Sequence, residues 1–205
     1  MNKTLKPATK IMVMMLGFIL IALGIALFFM SNIGSNPMTT LVEGLTSKLP
    51  WSFGTVNMLA SFILLVLSYW SSKRFLGIGT ILNMVVIGYL VDAWTWLFQG
   101  HVVVSPLWIQ LLLSVVGTLI LAFGVALYMY VDMGFGPYEM FMEMVSELTG
   151  WSLATSRTIQ EVSVLLVGIL MGGRFGLGTI INALFTGYLL AFFYKKVKTW
   201  FEGEH

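Results

Sequence analysis

The chain reads "GIGTILNMVVIGYL" from Gly77 to Leu90 and "GLGTIINALFTGYL" from Gly176 to Leu189. Chance agreement between two apolar segments would repeat mainly leucine and valine, whereas these stretches share glycine, threonine, asparagine and tyrosine. The likeness extends upstream to a Gly-x-x-Pro turn at Gly34 and another at Gly134. The sequence therefore predicts an internal duplication.

The composition decides which kind of molecule carries this duplication. Hydrophobic residues make up 58% of the 205 residues and charged residues only 10%, against roughly 45–50% and 25% in soluble domains. Six apolar runs are each long enough to cross a hydrocarbon layer about 30 Å thick. They are Ile11–Ser31, Phe53–Trp70, Leu76–Phe98, Trp108–Val131, Leu153–Met171 and Leu177–Tyr194. We therefore expect an all-α polytopic membrane protein with six transmembrane helices in the lipid bilayer.

The same composition argues against several chemical functions. The Gly-x-Gly-Thr stretch lacks the third glycine, the preceding strand and the following acidic residue of a dinucleotide-binding turn. The chain has no cysteine and two histidines, and neither histidine has a second ligand at metal-binding spacing. We therefore expect no enzyme activity, no cofactor and no metal. We also expect no nucleic-acid partner, because the basic residues are flanking anchors of spans.

The duplication and the span count together predict inverted repeats. The first repeat comprises residues 1–105 and the second 106–205, and each contains three spans. Because three is odd, the second repeat enters the membrane from the opposite side, as in many secondary transporters. Duplication also produces membrane folds that transport nothing, so the repeat alone does not decide the function.

The basic residues predict the orientation of the chain. With the N-terminus in the cytoplasm, only Lys48 and Arg174 fall outside, and the other lysines and arginines lie on or near the inside. The sequence therefore predicts a multi-pass protein of the bacterial cytoplasmic membrane with both termini in the cytoplasm.

A short helix should follow each Gly-x-x-Pro turn, at residues 37–48 and 137–148. Pro37 and Pro137 suit the first turn of a helix, and apolar side chains at i, i+3, i+4 and i+7 form a stripe that includes Tyr138. A helix of about twelve residues extends about 18 Å, which is too short to span. It lies flat on the membrane or dips towards its centre.

The fifth span carries the sharpest functional signal. Arg157 and Glu161 are four residues apart on one helical face, with Gln160 beside them. Ionisable groups inside a span are costly and are candidates for function. The alternative is a structural ion pair that fixes helix register. The matching positions of the first repeat are Asn57 and Ser61, so this charge is confined to one repeat.

Further polar residues recur at equivalent positions of the two repeats. Glu43 and Glu143 lie on the short helices and are either solvated or near the binding site. Asn83 and Asn182 lie in the third and sixth spans, where an asparagine can also serve as interhelical hydrogen-bonding glue.

The repeated stretch and its Gly-x-x-Pro turn resemble the YczE/YyaS/YitT family of bacterial integral membrane proteins, and the YczE and YyaS branch in particular. In that family the turn often continues as Pro-Trp-Asp. Here the tripeptide is Pro37-Met38-Thr39 in the first repeat and Pro137-Tyr138-Glu139 in the second, so only Glu139 matches the acid. The resemblance covers nearly the whole chain and implies an integral membrane protein of a family with no settled substrate or mechanism, whose members are called membrane proteins or transporters.

The leading hypothesis is a secondary transporter of a small polar or zwitterionic solute. Arg157 and Glu161 would form the binding or coupling site, with Glu43 and Glu143 nearby, and Glu161 would be the carboxylate for coupling to protons. A channel shares these features. The alternative is a membrane accessory or solute-binding subunit that works with partner proteins. The sequence is compatible with a homo-oligomer.

Overall fold

Every regular element in the computed structural model, which describes residues 5–98 and 106–202, is helical. The helices are α1 (Pro7–Ser31), α2 (Pro37–Thr46), α3 (Phe53–Ser72), α4 (Ile78–Phe98), α5 (Leu107–Tyr130), α6 (Pro137–Thr149), α7 (Leu153–Leu170) and α8 (Leu177–Glu202), with one 3₁₀ turn at Lys73–Phe75. The all-α prediction is confirmed for this part of the chain.

Within the described residues, five helices are long and apolar enough to cross a membrane. They are α1, α3 together with its 3₁₀ turn, α4, α5 and α8. The predicted fifth span is α7, which has 18 residues and is not among these five. Its first half carries the polar residues Arg157, Gln160 and Glu161.

The helices begin where the sequence predicts. Pro37 and Pro137 occupy the first positions of α2 and α6, where a missing N–H costs nothing. The Asn36 side chain accepts a hydrogen bond from a backbone N–H in the first turn of α2, at 2.9 Å. Ser52 and Ser152 cap α3 and α7 in the same way, each at 3.2 Å. The two repeats therefore start their equivalent helices with equivalent signals.

The end of α2 differs slightly from the prediction. The helix stops at Thr46 rather than at residue 48. The Ser47 hydroxyl donates to a backbone carbonyl three residues earlier at 2.7 Å, and the Lys48 N–H donates to the Leu45 carbonyl at 3.0 Å. These i to i−3 bonds satisfy the terminal carbonyls in a tighter turn and end the α-helical pattern.

The chain divides into two compact units, and each takes elements from both repeats. The unit that we call the long-helix unit contains α1, α4 from Leu90 onward, α5 and α8. The unit that we call the short-helix unit contains α2, α3, α4 up to Tyr89, α6, and α7 with its continuation to Arg174.

In the long-helix unit, α1 and α5 approach each other at glycines. A Cβ placed on Gly17 would lie 2.7 Å from the carbonyl oxygen of Gly124, and one on Gly24 would lie 2.7 Å from that of Gly117. The earlier glycine of α1 contacts the later glycine of α5, and the later glycine of α1 contacts the earlier one of α5. The two helices are therefore antiparallel. Small residues permit this close backbone approach between helices in lipid.

The first Gly-x-x-Pro turn contacts the start of α8 in the same unit. Gly34 has a φ of +99°, and a Cβ placed on it would lie 2.8 Å from the Gly176 nitrogen. The Gly178 N–H donates to the Ile33 carbonyl at 2.8 Å. The turn of the first repeat therefore rests on the "GLGT" stretch of the second.

The short-helix unit contains the reciprocal contact. Gly134 has a φ of +119°, and a Cβ placed on it would lie 2.7 Å from the Gly77 nitrogen. The Phe135 N–H donates to the Phe75 carbonyl at 3.0 Å, and the two rings stack with centroids 4.6 Å apart. The turn of the second repeat therefore rests on the "GIGT" stretch of the first.

The short helices are also exchanged between repeats. In the short-helix unit α2 packs against α7, and α6 packs against both α3 and α7. A Cβ placed on Gly44 of α2 would lie 2.7 Å from the Gly168 carbonyl oxygen of α7. The Ser72 hydroxyl at the end of α3 donates to the Met140 carbonyl of α6 at 3.0 Å.

Replacing Gly24 by alanine tests the contact between α1 and α5. The added methyl group would lie 2.7 Å from the Gly117 carbonyl oxygen, so the helices must separate. We expect a loss of about 1–3 kcal/mol of stability, the usual range for overpacking, measured by SDS denaturation of the purified protein. Met12→Ala, at a position of α1 that is 72% exposed, is the control and should change stability much less. Equal effects of the two substitutions would contradict the glycine contact.

Candidate functional site

The ion pair predicted on α7 is present. The Arg157 Nε atom lies 2.8 Å from Glu161 Oε1, and the two side chains are 38% and 26% exposed. The i, i+4 spacing places both groups on one helical face, as expected. The pair is half-buried rather than fully buried.

Gln160 joins α7 to the first turn of α6. Its side chain is only 4% exposed, and its amide nitrogen donates to the Tyr138 carbonyl at 3.0 Å. Because the atom that faces a carbonyl must be a donor, the other terminal atom of this amide is the oxygen. That oxygen is buried and accepts no hydrogen bond from any side chain or backbone group in the described ranges.

Tyr138 contributes a second buried polar atom. Its hydroxyl lies next to the Gln160 amide but makes no well-formed hydrogen bond within residues 5–98 and 106–202. Burial raises the pKa of the Tyr138 hydroxyl, the negative charge of Glu161 raises it further, and the Arg157 charge opposes this. The hydroxyl therefore stays protonated and neutral at physiological pH.

Two buried polar atoms without partners are costly. Each such atom costs roughly 1–3 kcal/mol when it loses its hydrogen bonds to water. Native structures keep few of them, and those that remain require an explanation such as a bound ligand or water. The Tyr138 hydroxyl and the Gln160 oxygen are therefore available to a molecule that binds beside Arg157 and Glu161.

Glu139 and Asn83 meet at Gly136, the residue before α6. A Cβ on Gly136 would clash with the Glu139 carboxylate, and it would lie 3.0 Å and 3.1 Å from the two terminal atoms of the Asn83 amide. The first repeat has Asn36 at the equivalent position, where its side chain caps the helix. The second repeat gives up that cap, and the space is filled by an amide and a carboxylate.

We call these residues the α6–α7 cluster, and all of them belong to the short-helix unit. The members are Asn83, Tyr138, Glu139, Arg157, Gln160 and Glu161. The Glu139 charge acts on both Tyr138 and Arg157. With both carboxylates ionised, the cluster has one more negative charge than positive. Five of these six residues are candidates from the sequence.

Tyr138 is the member that the sequence pattern missed. It occupies a position of the apolar stripe of α6, where an aromatic ring reads as core. One signal in the sequence could have identified it. Tyr138 directly precedes Glu139, and the equivalent residue of the first repeat is Met38, which has no hydroxyl.

Glu43 lies away from this cluster. It pairs with Arg174, with 2.6 Å between Arg174 Nε and Glu43 Oε1, and it also accepts the Arg174 backbone N–H at 3.3 Å. Arg174 follows the C-terminal end of α7, roughly 20 Å of helix from Arg157 at 1.5 Å per residue. Glu43 therefore pairs with a residue beyond the C-terminal end of α7, whereas Arg157 and Glu161 lie in the first half of that helix.

Glu143 lies beside a second ion pair. Arg74, in the turn after α3, pairs with Glu147 of α6, and the charges of both act on Glu143. Glu143 is therefore a member of a separate charged group further along α6, and the pairing of Arg74 with Glu147 fixes the end of α3 to that helix.

The two remaining candidates are amides. The Asn57 amide nitrogen lies 3.1 Å from where a Cβ of Gly88 would stand, so it borders the crossing of α3 and α4. Asn182 is in the long-helix unit, is 3% exposed, and its amide nitrogen donates to no group in the part of the chain that the structure describes. Residues 5–98 and 106–202 contain no group of three acidic, histidine or cysteine side chains that could hold a metal ion.

Residues 8–195 match a family of unknown function, DUF6198. The chain belongs to this family. It is 29% identical to an uncharacterized protein of Haemophilus influenzae over 184 residues, which is 89% of this chain and 82% of that protein. It is 26% identical over 183 residues to the uncharacterized membrane protein YczE of Bacillus subtilis, covering 86% of this chain and 81% of YczE.

The uncharacterized protein YyaS of Bacillus subtilis is also similar, with 24% identity over 190 residues that cover 93% of this chain and 94% of YyaS. The resemblance to YczE and YyaS is therefore confirmed, and the chain is a membrane protein by its family and its helices. No solved structure matches it.

Replacing Glu143 by glutamine tests the charged group on α6. Burial raises the pKa of the Glu143 carboxyl above its usual value of 4.5 and outweighs the opposing charge of Arg74. A raised folded-state pKa means that the ionised carboxylate costs stability at neutral pH, and that this cost disappears as the pH falls below the unfolded-state value. Glu143→Gln should therefore stabilise the protein by less than about 1 kcal/mol at pH 7.5, and the gain should vanish towards pH 4.

The matched control is Glu147→Gln on the same helix. This change breaks the pair with Arg74 and should lower stability at pH 7.5 rather than raise it. SDS denaturation between pH 4 and pH 8 measures both effects. A destabilised Glu143→Gln variant at pH 7.5 would contradict the burial of this carboxyl.

Proposed function

We propose that the protein is a secondary transporter of a small polar solute in the bacterial cytoplasmic membrane. The observation that carries this proposal is the α6–α7 cluster, in which charged and unsatisfied polar groups converge in a chain whose other long helices are apolar. Ionisable groups at membrane depth are expensive and mark solute or proton pathways.

The helix contacts support an inverted-repeat architecture. The glycines that join α1 to α5 are equivalent in the two repeats, and the two equivalent helices run antiparallel. A pseudo-two-fold axis in the membrane plane produces this relation, and transporters with inverted repeats place their solute site near the membrane midplane. In this arrangement α7 is the fifth of six spans, and both termini are cytoplasmic.

The two interhelical ion pairs are consistent with six spans. If α7 crosses the membrane, Glu43 and Arg174 fall on the outer side, and Arg74 and Glu147 fall on the inner side. Each pair then joins residues on one face of the membrane.

The short helices have a role in this proposal. The first turn of α6 contributes Tyr138 and Glu139 to the cluster, and Gln160 of α7 hydrogen-bonds to it. Short helices at membrane depth are tolerated where they pack against protein or border a water-filled cavity. We infer that α2 and α6 dip into the membrane, and that Glu161 or Glu139 carries the proton if transport is coupled to protons.

Single cysteines distinguish six spans from five, and the absence of native cysteine makes the labelling clean. In intact cells an impermeant maleimide should label Lys48→Cys and Met171→Cys, whereas Lys73→Cys and Asp132→Cys should react only after permeabilisation. If α7 does not cross the membrane, Met171→Cys should behave like Asp132→Cys, and the six-span proposal fails.

Transport itself is tested with proteoliposomes and a solute panel. Arg157→Met and Glu161→Gln should each lower the uptake of the transported solute at least about tenfold, since a charged hydrogen bond contributes 1.5–3 kcal/mol. Lys198→Gln, near the C-terminal end of α8, is the control and should leave uptake unchanged. Proteoliposomes that move none of the panel solutes, or an unchanged rate in the Arg157→Met/Glu161→Gln double variant, would refute the proposal.

A further inference from the structure

We propose that the α6–α7 cluster binds an organic cation with N–H donors, such as a primary ammonium group, and that it does not bind a free carboxylate. This inference rests on the proposed function and names the chemical class of its solute. It is carried by the charge balance of the cluster and by the kind of polar atom that the cluster leaves unsatisfied.

The charge balance favours a cation. Arg157 is the positive group of the cluster, and its Nε already contacts Glu161 at 2.8 Å. An incoming carboxylate would meet a guanidinium whose charge is already partly neutralised by Glu161, and it would approach the second carboxylate, that of Glu139. An ammonium group instead neutralises the excess negative charge without breaking the pair.

The unsatisfied atoms favour a donor. The free terminal atom of the Gln160 amide is an oxygen, because the nitrogen is held by the Tyr138 carbonyl. An amide oxygen accepts hydrogen bonds and cannot donate them, whereas a hydroxyl can do both. The Gln160 oxygen and the Tyr138 hydroxyl are two acceptors, and the negative charge of Glu139 acts on Tyr138, so these groups favour a positively charged N–H donor such as a primary ammonium group.

The exposed and buried members of the cluster have different positions in this site. Arg157 and Glu161 are half-buried, and the proposal places them on the outer side of the site. Gln160 is almost completely buried and forms the inner wall with the Tyr138 hydroxyl. A solute whose cationic end enters first would satisfy the wall and leave its remainder beside the ion pair.

The first repeat has no equivalent of this site. Its residues at the five aligned positions are Met38, Thr39, Asn57, Ala60 and Ser61, and none carries a charge. The aligned positions of the first repeat therefore cannot form a cation site of this design, so the pseudo-symmetric counterpart does not bind the same group in the opposite orientation.

Calorimetry on the detergent-purified full chain tests the inference with three probes. n-Butylammonium and butyrate have apolar chains of similar length and opposite charge, and tetramethylammonium is a cation without N–H donors. We expect n-butylammonium to bind at least about tenfold more tightly than either of the other two. Tighter binding of butyrate would overturn the proposal, and equal binding of the two cations would overturn the role of the acceptors.

Four variants locate the bound group. Glu139→Gln and Gln160→Met should each weaken n-butylammonium binding at least about tenfold, whereas Glu147→Gln, a carboxylate outside the cluster on the same helix, should leave it unchanged. Gln160→Glu keeps a hydrogen-bond acceptor at the inner wall. It should retain n-butylammonium binding if Gln160→Met loses binding because the acceptor is missing rather than because the protein misfolds. Equal loss in all four variants, or loss in Glu147→Gln alone, would contradict the site.

The binding and flux experiments fail independently. Selective n-butylammonium binding without uptake in proteoliposomes would refute the transporter and leave the cation site intact. Uptake of anionic solutes with no binding of n-butylammonium would support transport and refute the cation site.

Discussion

The structure depends on the close approach of helix backbones at glycine. In lipid there is little hydrophobic force between helices, so packing contacts must hold them together. Gly17, Gly24, Gly117 and Gly124 bring α1 and α5 so close that a single added methyl group on any of them would meet a backbone oxygen at 2.7–3.0 Å. Because Gly17 is equivalent to Gly117 and Gly24 to Gly124, the same two positions of each repeat supply this contact.

The turns before the short helices extend this principle. Gly34 and Gly134 combine a positive φ with a backbone contact closer than 3 Å, two requirements that a side chain could not meet together. Each turn rests on the glycine-rich start of a long helix from the other repeat. The duplicated stretch that looks like a phosphate loop is therefore a docking surface for backbone, and its glycines are needed for contact rather than for anion binding.

Much of this architecture was predictable because its signals are local. The proline starts of α2 and α6, the serine caps of α3 and α7, and the i, i+4 pair of Arg157 and Glu161 each depend on residues within one turn of helix. The exchange of short helices between repeats was not predictable, since no local pattern states which helix a neighbour will pack against.

The same distinction explains the candidate site. Glu43 repeats as Glu143 in the sequence, yet its partner Arg174 is 131 residues away, so spacing could not reveal the pair. The sequence pattern assigned Tyr138 to the apolar stripe because of its aromatic ring. Such a pattern does not predict which groups surround the hydroxyl at the end of the side chain. The Glu43–Arg174 pair and the position of the Tyr138 hydroxyl both depend on tertiary contacts, which a helical pattern does not predict.

The proposed binding site lies where the two repeats cease to match. A symmetric pair of repeats would offer two equivalent sites in opposite orientations, and binding at one would compete with binding at the other. The second repeat replaces the helix cap Asn36 by Gly136 and Thr39 by Glu139, and it replaces Asn57 and Ser61 by Arg157 and Glu161. It thereby loses a side-chain cap, which costs a few tenths of a kcal/mol (~0.3) when glycine takes its place, and leaves two buried polar atoms unsatisfied. Costs of this kind persist where the exposed chemistry is used, so the asymmetry itself favours a binding site over a structural ion pair.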